Sequence, residues 1–113
     1  MPSNLNPNEK PFPLCIIVGK PKIEEGPRKI SVISGANISF YCRYLGYPKP
    51  IVKWLKNGEV VDGSGRIKVF PPGELHIYKT TVRDSGEYTC LVSNKYGQDK
   101  SSAYLVVDGF GKL

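Results

Sequence analysis

Two cysteines and the only tryptophan of this chain lie on segments in which apolar and polar residues alternate. Alternation with a period of two indicates a β-strand that buries one face, and Cys42, Trp54 and Cys90 all fall on the apolar side. This pattern predicts strands rather than helices. The residues predicted to point inward are Ile38, Phe40, Cys42, Val52, Trp54, Ile67, Val69, Leu75, Ile77, Tyr88, Cys90, Val92, Ala103, Leu105 and Val107.

Turn signals separate the alternating segments. Asn57-Gly58 and Pro71-Pro72-Gly73 are typical turn sequences, and such signals recur roughly every 8–12 residues, a spacing that favours an all-β sandwich or barrel. The 113 residues leave room for one domain and a short extension.

The most specific motifs surround the two cysteines and Trp54. They are Cys42, Pro48-Lys49-Pro50, Val52-Lys53-Trp54-Leu55-Lys56-Asn57-Gly58, Leu75-His76-Ile77, Asp84-Ser85-Gly86-Glu87-Tyr88-Thr89-Cys90 and Asn94-Lys95-Tyr96-Gly97. With these motifs, residues 21–108 resemble the intermediate, or I-set, class of the immunoglobulin superfamily. The resemblance implies an all-β fold, a two-sheet antiparallel Greek-key sandwich.

The resemblance also implies how the core is held together. A disulfide between Cys42 and Cys90 would join the two sheets, with Trp54 packed against it and the Tyr88 hydroxyl returned to upstream backbone. The bridge would close a 48-residue loop, which contributes roughly 4 kcal/mol in the chain-entropy model. The further core residues implied are Leu75 and Asp84.

The chain divides into three predicted parts. Residues 1–20 are predicted to be a linker or tail, residues 21–108 the domain, and residues 109–113 a C-terminal tail. Within the first part, Leu14–Val18 either pairs as an extra edge strand or belongs to a preceding domain. Cys15 is left over from the implied pair, either as a free thiol or with a partner outside this chain. The N-terminus lacks signal-peptide features, and no segment reaches the roughly 18 apolar residues of a membrane span. We expect a piece of a larger protein with no direct membrane insertion.

The resemblance leaves two cellular settings open. One is extracellular, as in cell-adhesion molecules, receptor ectodomains and neuregulin-type growth factors, and it agrees with the implied disulfide and with the glycosylation sequon Asn37-Ile38-Ser39. The other is intracellular, as in titin-like muscle proteins, where the two cysteines often stay reduced and the role is mechanical. We expect the extracellular setting.

Residues for catalysis or for a bound metal are not arranged in recognisable motifs. The single histidine, His76, is predicted to face solvent between inward Leu75 and Ile77, so no Ser-His-Asp arrangement is expected. The cysteines show no close Cys-x-x-Cys pairing for a metal, and no phosphate-binding loop is present. We therefore expect no enzyme activity, no cofactor and no metal. Nucleic-acid binding is not expected either, because no recognition helix or stacking motif accompanies the basic charge.

Basic residues suggest one candidate binding surface. The chain carries 16 Lys and Arg against 10 Asp and Glu, and this net charge of +6 favours acidic partners. The alternation predicts that four cations share the outer face of one sheet with Tyr41, Tyr78 and Glu74, where they would bind a sulfated polysaccharide such as heparan sulfate. These cations are Arg43, Arg66, Lys68 and His76.

Apolar residues suggest a second candidate surface, on the opposite sheet. Four apolar side chains are predicted to point outward there, together with Lys53, Thr89 and Lys100, and such a patch either contacts a protein or is covered by a neighbouring segment. The four are Leu55, Leu91, Tyr104 and Val106. The expected function is non-catalytic recognition of a protein partner, and heparan sulfate binding by the basic face is a further expectation. The alternative is a structural role in a sarcomeric or actin-associated protein.

Overall fold

The computed structural model describes residues 18–109 and contains ten β-strands. Cys15 lies outside the described residues, as do residues 1–17 of the predicted linker and residues 110–113 of the predicted tail. The first strand begins two residues before the predicted domain boundary. The strands are β1 (Gly19–Glu25), β2 (Ile30–Ile33), β3 (Ile38–Tyr41), β4 (Arg43–Tyr47), β5 (Ile51–Lys56), β6 (Glu59–Val60), β7 (Ile67–Phe70), β8 (Glu74–Ile77), β9 (Gly86–Asn94) and β10 (Gly97–Asp108).

The strands form two layers, which confirms the predicted sandwich. One layer is a five-stranded sheet with the order β2-β10-β9-β5-β6. The other combines the three-stranded sheet β3-β8-β7 with the pair β1-β4, because β4 continues β3 beyond Cys42.

One pair departs from the predicted antiparallel arrangement. Strand β2 lies parallel to β10, in a register that runs from Ile30 opposite Leu105 to Ile33 opposite Asp108. The chain turns away from β4 at Gly26-Pro27 and crosses to β10, and a β-carbon at Gly26 would collide with Ser101 of that strand. The N-terminal edge of the domain is therefore divided, with β1 in one layer and β2 in the other. Because β2 is parallel to β10, the five-stranded sheet contains both parallel and antiparallel pairs.

The core lies between the layers and is organised around the predicted disulfide. Cys42 and Cys90 are bonded, with their Cα atoms 6.4 Å apart. The ring of Phe40 packs near those of Trp54 and Tyr88, with centroid distances of 6.2 and 5.3 Å. The Trp54 Nε1 atom is buried without a hydrogen-bond partner among the described residues, so packing positions the indole.

A corner of the sandwich is fixed by hydrogen bonds around Asp84, in the short 3₁₀ turn Val82–Asp84. The buried Tyr88 hydroxyl donates to the Asp84 carbonyl oxygen at 2.6 Å, as the resemblance implied. The Asp84 carboxylate accepts two bonds from Arg66, at 2.9 and 3.1 Å, and one from the Thr81 backbone N–H at 2.8 Å. The cation at this corner is Arg66, 18 residues away from Asp84 in the sequence, and not the adjacent Arg83.

These contacts change the ionisation of the corner. Burial by itself would raise the pKa of Asp84, but the hydrogen bonds from Arg66 and Thr81 and the charges of Arg66 and Lys56 outweigh it, so the pKa lies below its usual range. Burial also raises the pKa of the Tyr88 hydroxyl. The corner thus holds a carboxylate that stays ionised and a phenol that stays neutral at physiological pH.

Replacing Asp84 by Asn tests this corner. Because the folded-state pKa of Asp84 is lowered, its stabilisation is present above the unfolded-state pKa of about 4 and is lost as pH falls through the folded-state value. Asp84→Asn is expected to lower the free energy of unfolding by about 1–3 kcal/mol at neutral pH. This is less than the loss from breaking a fully buried ion pair, because solvent screens Arg66. The side chain of Arg66 is 42% exposed.

The measurement is urea unfolding between about pH 2 and about pH 7. The Asp84→Asn variant is expected to lose less stability on acidification than the parent domain. Asp108→Asn, at an exposed position on β10, is the matched control and is expected to follow the parent. An Asp84→Asn variant with the parent's pH profile would contradict the assignment.

Candidate recognition surfaces

The outer face of the five-stranded sheet has an apolar residue between two cations. In the strand register, Leu91 on β9 lies directly between Lys53 on β5 and Lys100 on β10. The next row along the sheet places Thr89 between Leu55 and Ser102. The row centred on Leu91 therefore combines an apolar contact with two positive charges.

The four predicted apolar residues share this face but differ in exposure. Tyr104 and Val106 are exposed, at 57% and 37%, whereas Leu55 and Leu91 are half-buried. Neighbouring side chains on the sheet reduce the exposure of Leu55 and Leu91, because directly opposed residues lie only about 5 Å apart. Ile51 and Val60 extend the same face, opposite Ser93 and Leu55, and were missed because their strands are short or begin at a turn.

Thr89 is the residue on this face that departs most from its predicted exposure. It is buried, and its Oγ1 lies 2.7 Å from the Ser102 Oγ in a cross-strand hydrogen bond. The two hydroxyls satisfy each other and make the centre of the face less polar than the sequence indicates. The face can therefore bury apolar area without stranding polar groups, as a protein contact requires.

The outer face of β3, β8 and β7 has a different character. His76 lies between Ser39 and Lys68 in the strand register. Its ring makes edge contact with Phe70 at 4.9 Å between centroids, and its Nε2 lies 2.8 Å from Glu74 Oε1. His76 was predicted to face solvent, but these neighbours leave it half-buried. Phe70 was not singled out from the sequence, although the alternation starting at Ile67 places it outward.

The four predicted heparan-binding cations do not form a free cluster. Arg66 donates to Asp84 and to the carbonyl oxygens of Tyr78 and Lys79, so its guanidinium group is already engaged within the domain. Arg43 pairs with Glu25 at 3.5 Å. With His76 bound to Glu74, Lys68 is the one cation of the four without a carboxylate partner among residues 18–109.

The sequon residue Asn37 is exposed and immediately precedes β3. Its Oδ1 accepts a hydrogen bond from the Lys79 backbone N–H at 2.8 Å. A glycan would attach to Nδ2, which this bond leaves unused. The protein thus orients the side chain through Oδ1 and leaves the amide nitrogen without a hydrogen-bond partner among residues 18–109.

Between residues 18 and 109, His, Cys, Asp and Glu side chains do not gather in groups of three or more that would hold a metal ion. The same residues include no helix with the length and apolar character needed to cross a bilayer.

Comparison with known proteins identifies a family for most of the chain. The model of the immunoglobulin I-set domain matches residues 21–107. Neuroglian of Drosophila melanogaster is 41% identical over 87 residues, covering 77% of this chain and 7% of neuroglian. Contactin-2 of Rattus norvegicus is 35% identical over 97 residues, covering 80% of this chain and 9% of contactin-2. Hemicentin-1 of Mus musculus is 38% identical over 86 residues, covering 76% of this chain and 2% of hemicentin-1. The chain spans less than a tenth of the length of these relatives.

Solved structures give a second set of similar proteins. A chain in the complex of titin M10 with a mutant obscurin-like 1 Ig matches with a TM-score of 0.78 and 29% identity, covering 83% of this chain and 98% of the matched one. Titin domains in complex with telethonin give a TM-score of 0.78 and 26% identity, covering 82% and 49%. The relatives thus include cell-surface adhesion proteins and intracellular titin.

Proposed function

Because the chain belongs to the immunoglobulin I-set family, we propose that it is a non-catalytic recognition module of a larger extracellular or cell-surface protein. The family and its adhesion relatives are typically non-catalytic. The similarity to neuroglian and the contactins and the Cys42–Cys90 disulfide both support this setting. The partner is a protein, bound through the outer face of the five-stranded sheet.

The observation that carries the proposal is the row Lys53–Leu91–Lys100. Its central apolar residue is half-buried, so a partner would complete its burial without a large loss of side-chain entropy. The positively charged lysines on either side would pair with carboxylates on the partner. A second copy of the same face would bring lysines against lysines, so the contact is with a different, acidic surface.

The other sheet is the weaker candidate for recognition of an acidic ligand. Carboxylates already pair with Arg43, Arg66 and His76. A sulfate group would have to displace them, at the cost of the existing ion pairs. We therefore assign the recognition role to the five-stranded sheet rather than to heparan sulfate binding at Arg43, Arg66, Lys68 and His76.

Charge reversal on the five-stranded sheet tests the proposed contact. In the double variant Lys53→Glu with Lys100→Glu, like charges would oppose the acidic partner, and we expect at least about a tenfold loss of affinity, or about 1.4 kcal/mol. The assay is saturable binding of fluorescent domain tetramers to a panel of cell types. Unfolding by urea is expected to change little, because both lysines are exposed.

Lys22→Glu is the matched control, an exposed lysine on β1 in the other layer. It is expected to bind cells as the parent does. Equal losses in the control and the double variant would show a general charge effect and contradict the proposed face. Absence of saturable binding by the parent domain on every cell type would contradict a recognition role for it.

The alternative, an intracellular structural role, is supported by the likeness to titin domains. The two settings differ in what happens at Asn37. After passage through a secretory pathway, the domain is expected to carry a glycan there and to show a mass decrease on treatment with peptide N-glycosidase.

An Asn37→Gln variant, which lacks the attachment site, is the control and is expected to show no such decrease. An unmodified Asn37, together with reduced Cys42 and Cys90 in protein from its native source, would favour the intracellular alternative.

A further inference from the structure

Strand β3 has an unpaired edge within residues 18–109. Its partner on one side is β8, from Ile38 opposite Ile77 to Tyr41 opposite Glu74. On the other side, pairing begins only where Arg43 of β4 meets the last residue of β1. The chain leaves this edge at the crossover, defined as Gly26–Lys29, and joins β10 instead.

The backbone groups at this edge have a definite direction. The Cys42 N–H donates to the Gly73 carbonyl oxygen at 2.8 Å, toward β8. Because N–H and C=O groups of successive strand residues point to opposite edges, those of Ser39 and Tyr41 point away from β8. They continue the edge that Arg43 presents to β1. The N–H and C=O groups of Ser39 and Tyr41 are thus free to pair with the backbone of an added extended strand.

A groove of about 640 Å³ runs along this edge. Ser39, Phe40 and Tyr41 of β3 form one wall, and the crossover with Ile30 forms the other. Half-buried Ile30 makes the inner side apolar, while the exposed ring of Tyr41 lies on the outer side.

The charges at one end of the groove are unbalanced. Arg28 and Arg43 both contact the Glu25 carboxylate, at 3.6 and 3.5 Å. One carboxylate therefore serves two guanidinium groups there. Glu74, which also lines the groove, is engaged by His76 at 2.8 Å. An additional carboxylate would complement the arginine end.

The geometry argues against two other occupants. A second copy of the domain would bring its neighbouring strands with its edge, and these would collide with the crossover wall. The chain's own apolar stretch Leu14–Ile17 joins β1 at Val18, next to Gly19, which pairs with Tyr47 at the end of β1 remote from the groove. The four residues of this stretch reach about 14 Å when extended, whereas the seven-residue β1 spans about 20 Å. The stretch is therefore too short to run back along β1 to the groove.

The geometry points to a peptide-docking site: an extended segment of a partner polypeptide adds to the free edge of β3. Its backbone pairs with Ser39 and Tyr41, an apolar side chain lies against Ile30, and a carboxylate lies at the arginine end. The residues that face β3 need an N–H, so proline is excluded there. The site is separate from the Lys53–Leu91–Lys100 row and does not depend on it.

A synthetic peptide with a carboxylate at each end tests the site in either strand direction. The probe is acetyl-Glu-Val-Thr-Val-Thr-Val-Glu-amide, titrated into ¹⁵N-labelled domain. We expect saturable shift changes and slower hydrogen exchange at the Ser39 and Tyr41 amides. N-methylation of the alternate peptide amides that face β3 is expected to weaken binding at least about tenfold. N-methylation of the other amides, which face away from β3, is expected to weaken it less than about twofold.

Two protein variants complete the test. Ser39→Pro removes a donor that β8 does not use and is expected to weaken binding about as strongly as methylation; the methylated peptides give the same information if this variant does not fold. The double variant Lys53→Glu with Lys100→Glu is expected to bind the probe as the parent does. No shift at Ser39 and Tyr41 up to millimolar peptide would overturn the proposal, and so would equal effects of the two methylated sets.

Discussion

The covalent link between Cys42 and Cys90 is the constraint on which the rest of the structure depends. It joins β9, at the centre of the larger sheet, to the junction of β3 and β4 in the other layer. Its 48-residue loop contributes about 4 kcal/mol in the chain-entropy model, comparable to much of the total stability of a small domain. The aromatic residues Phe40, Trp54 and Tyr88 fill the space beside it.

The same strand that anchors the core also presents the proposed contact face. Along β9, Tyr88, Cys90 and Val92 are buried between the layers, while Leu91 lies on the outer side. Because inward and outward positions alternate, the outer residues can change while the scaffold is kept. This separation explains how one sandwich serves both adhesion proteins and titin among the relatives.

The alternation of the sequence was enough to predict the strands and most of the core, because those depend on local patterning. What it did not predict depends on contacts between distant segments. The pairing of Arg66 with Asp84 joins residues 18 apart across a loop. The crossover to the parallel pairing of β2 brings Gly26 against Ser101, 75 residues away in the sequence. The half-burial of Leu91 likewise depends on which residues lie beside it in the register.

The central claim is that inward residues stabilise the sandwich whereas outward residues are free for recognition. Comparing the free energies of unfolding of Leu75→Ala and Leu91→Ala tests it most directly. Leu75 is 0% exposed, so its truncation is predicted to cost about 2–5 kcal/mol, against less than about 1 kcal/mol for half-buried Leu91. Equal losses would contradict the claim, because the outer face would then belong to the structural core.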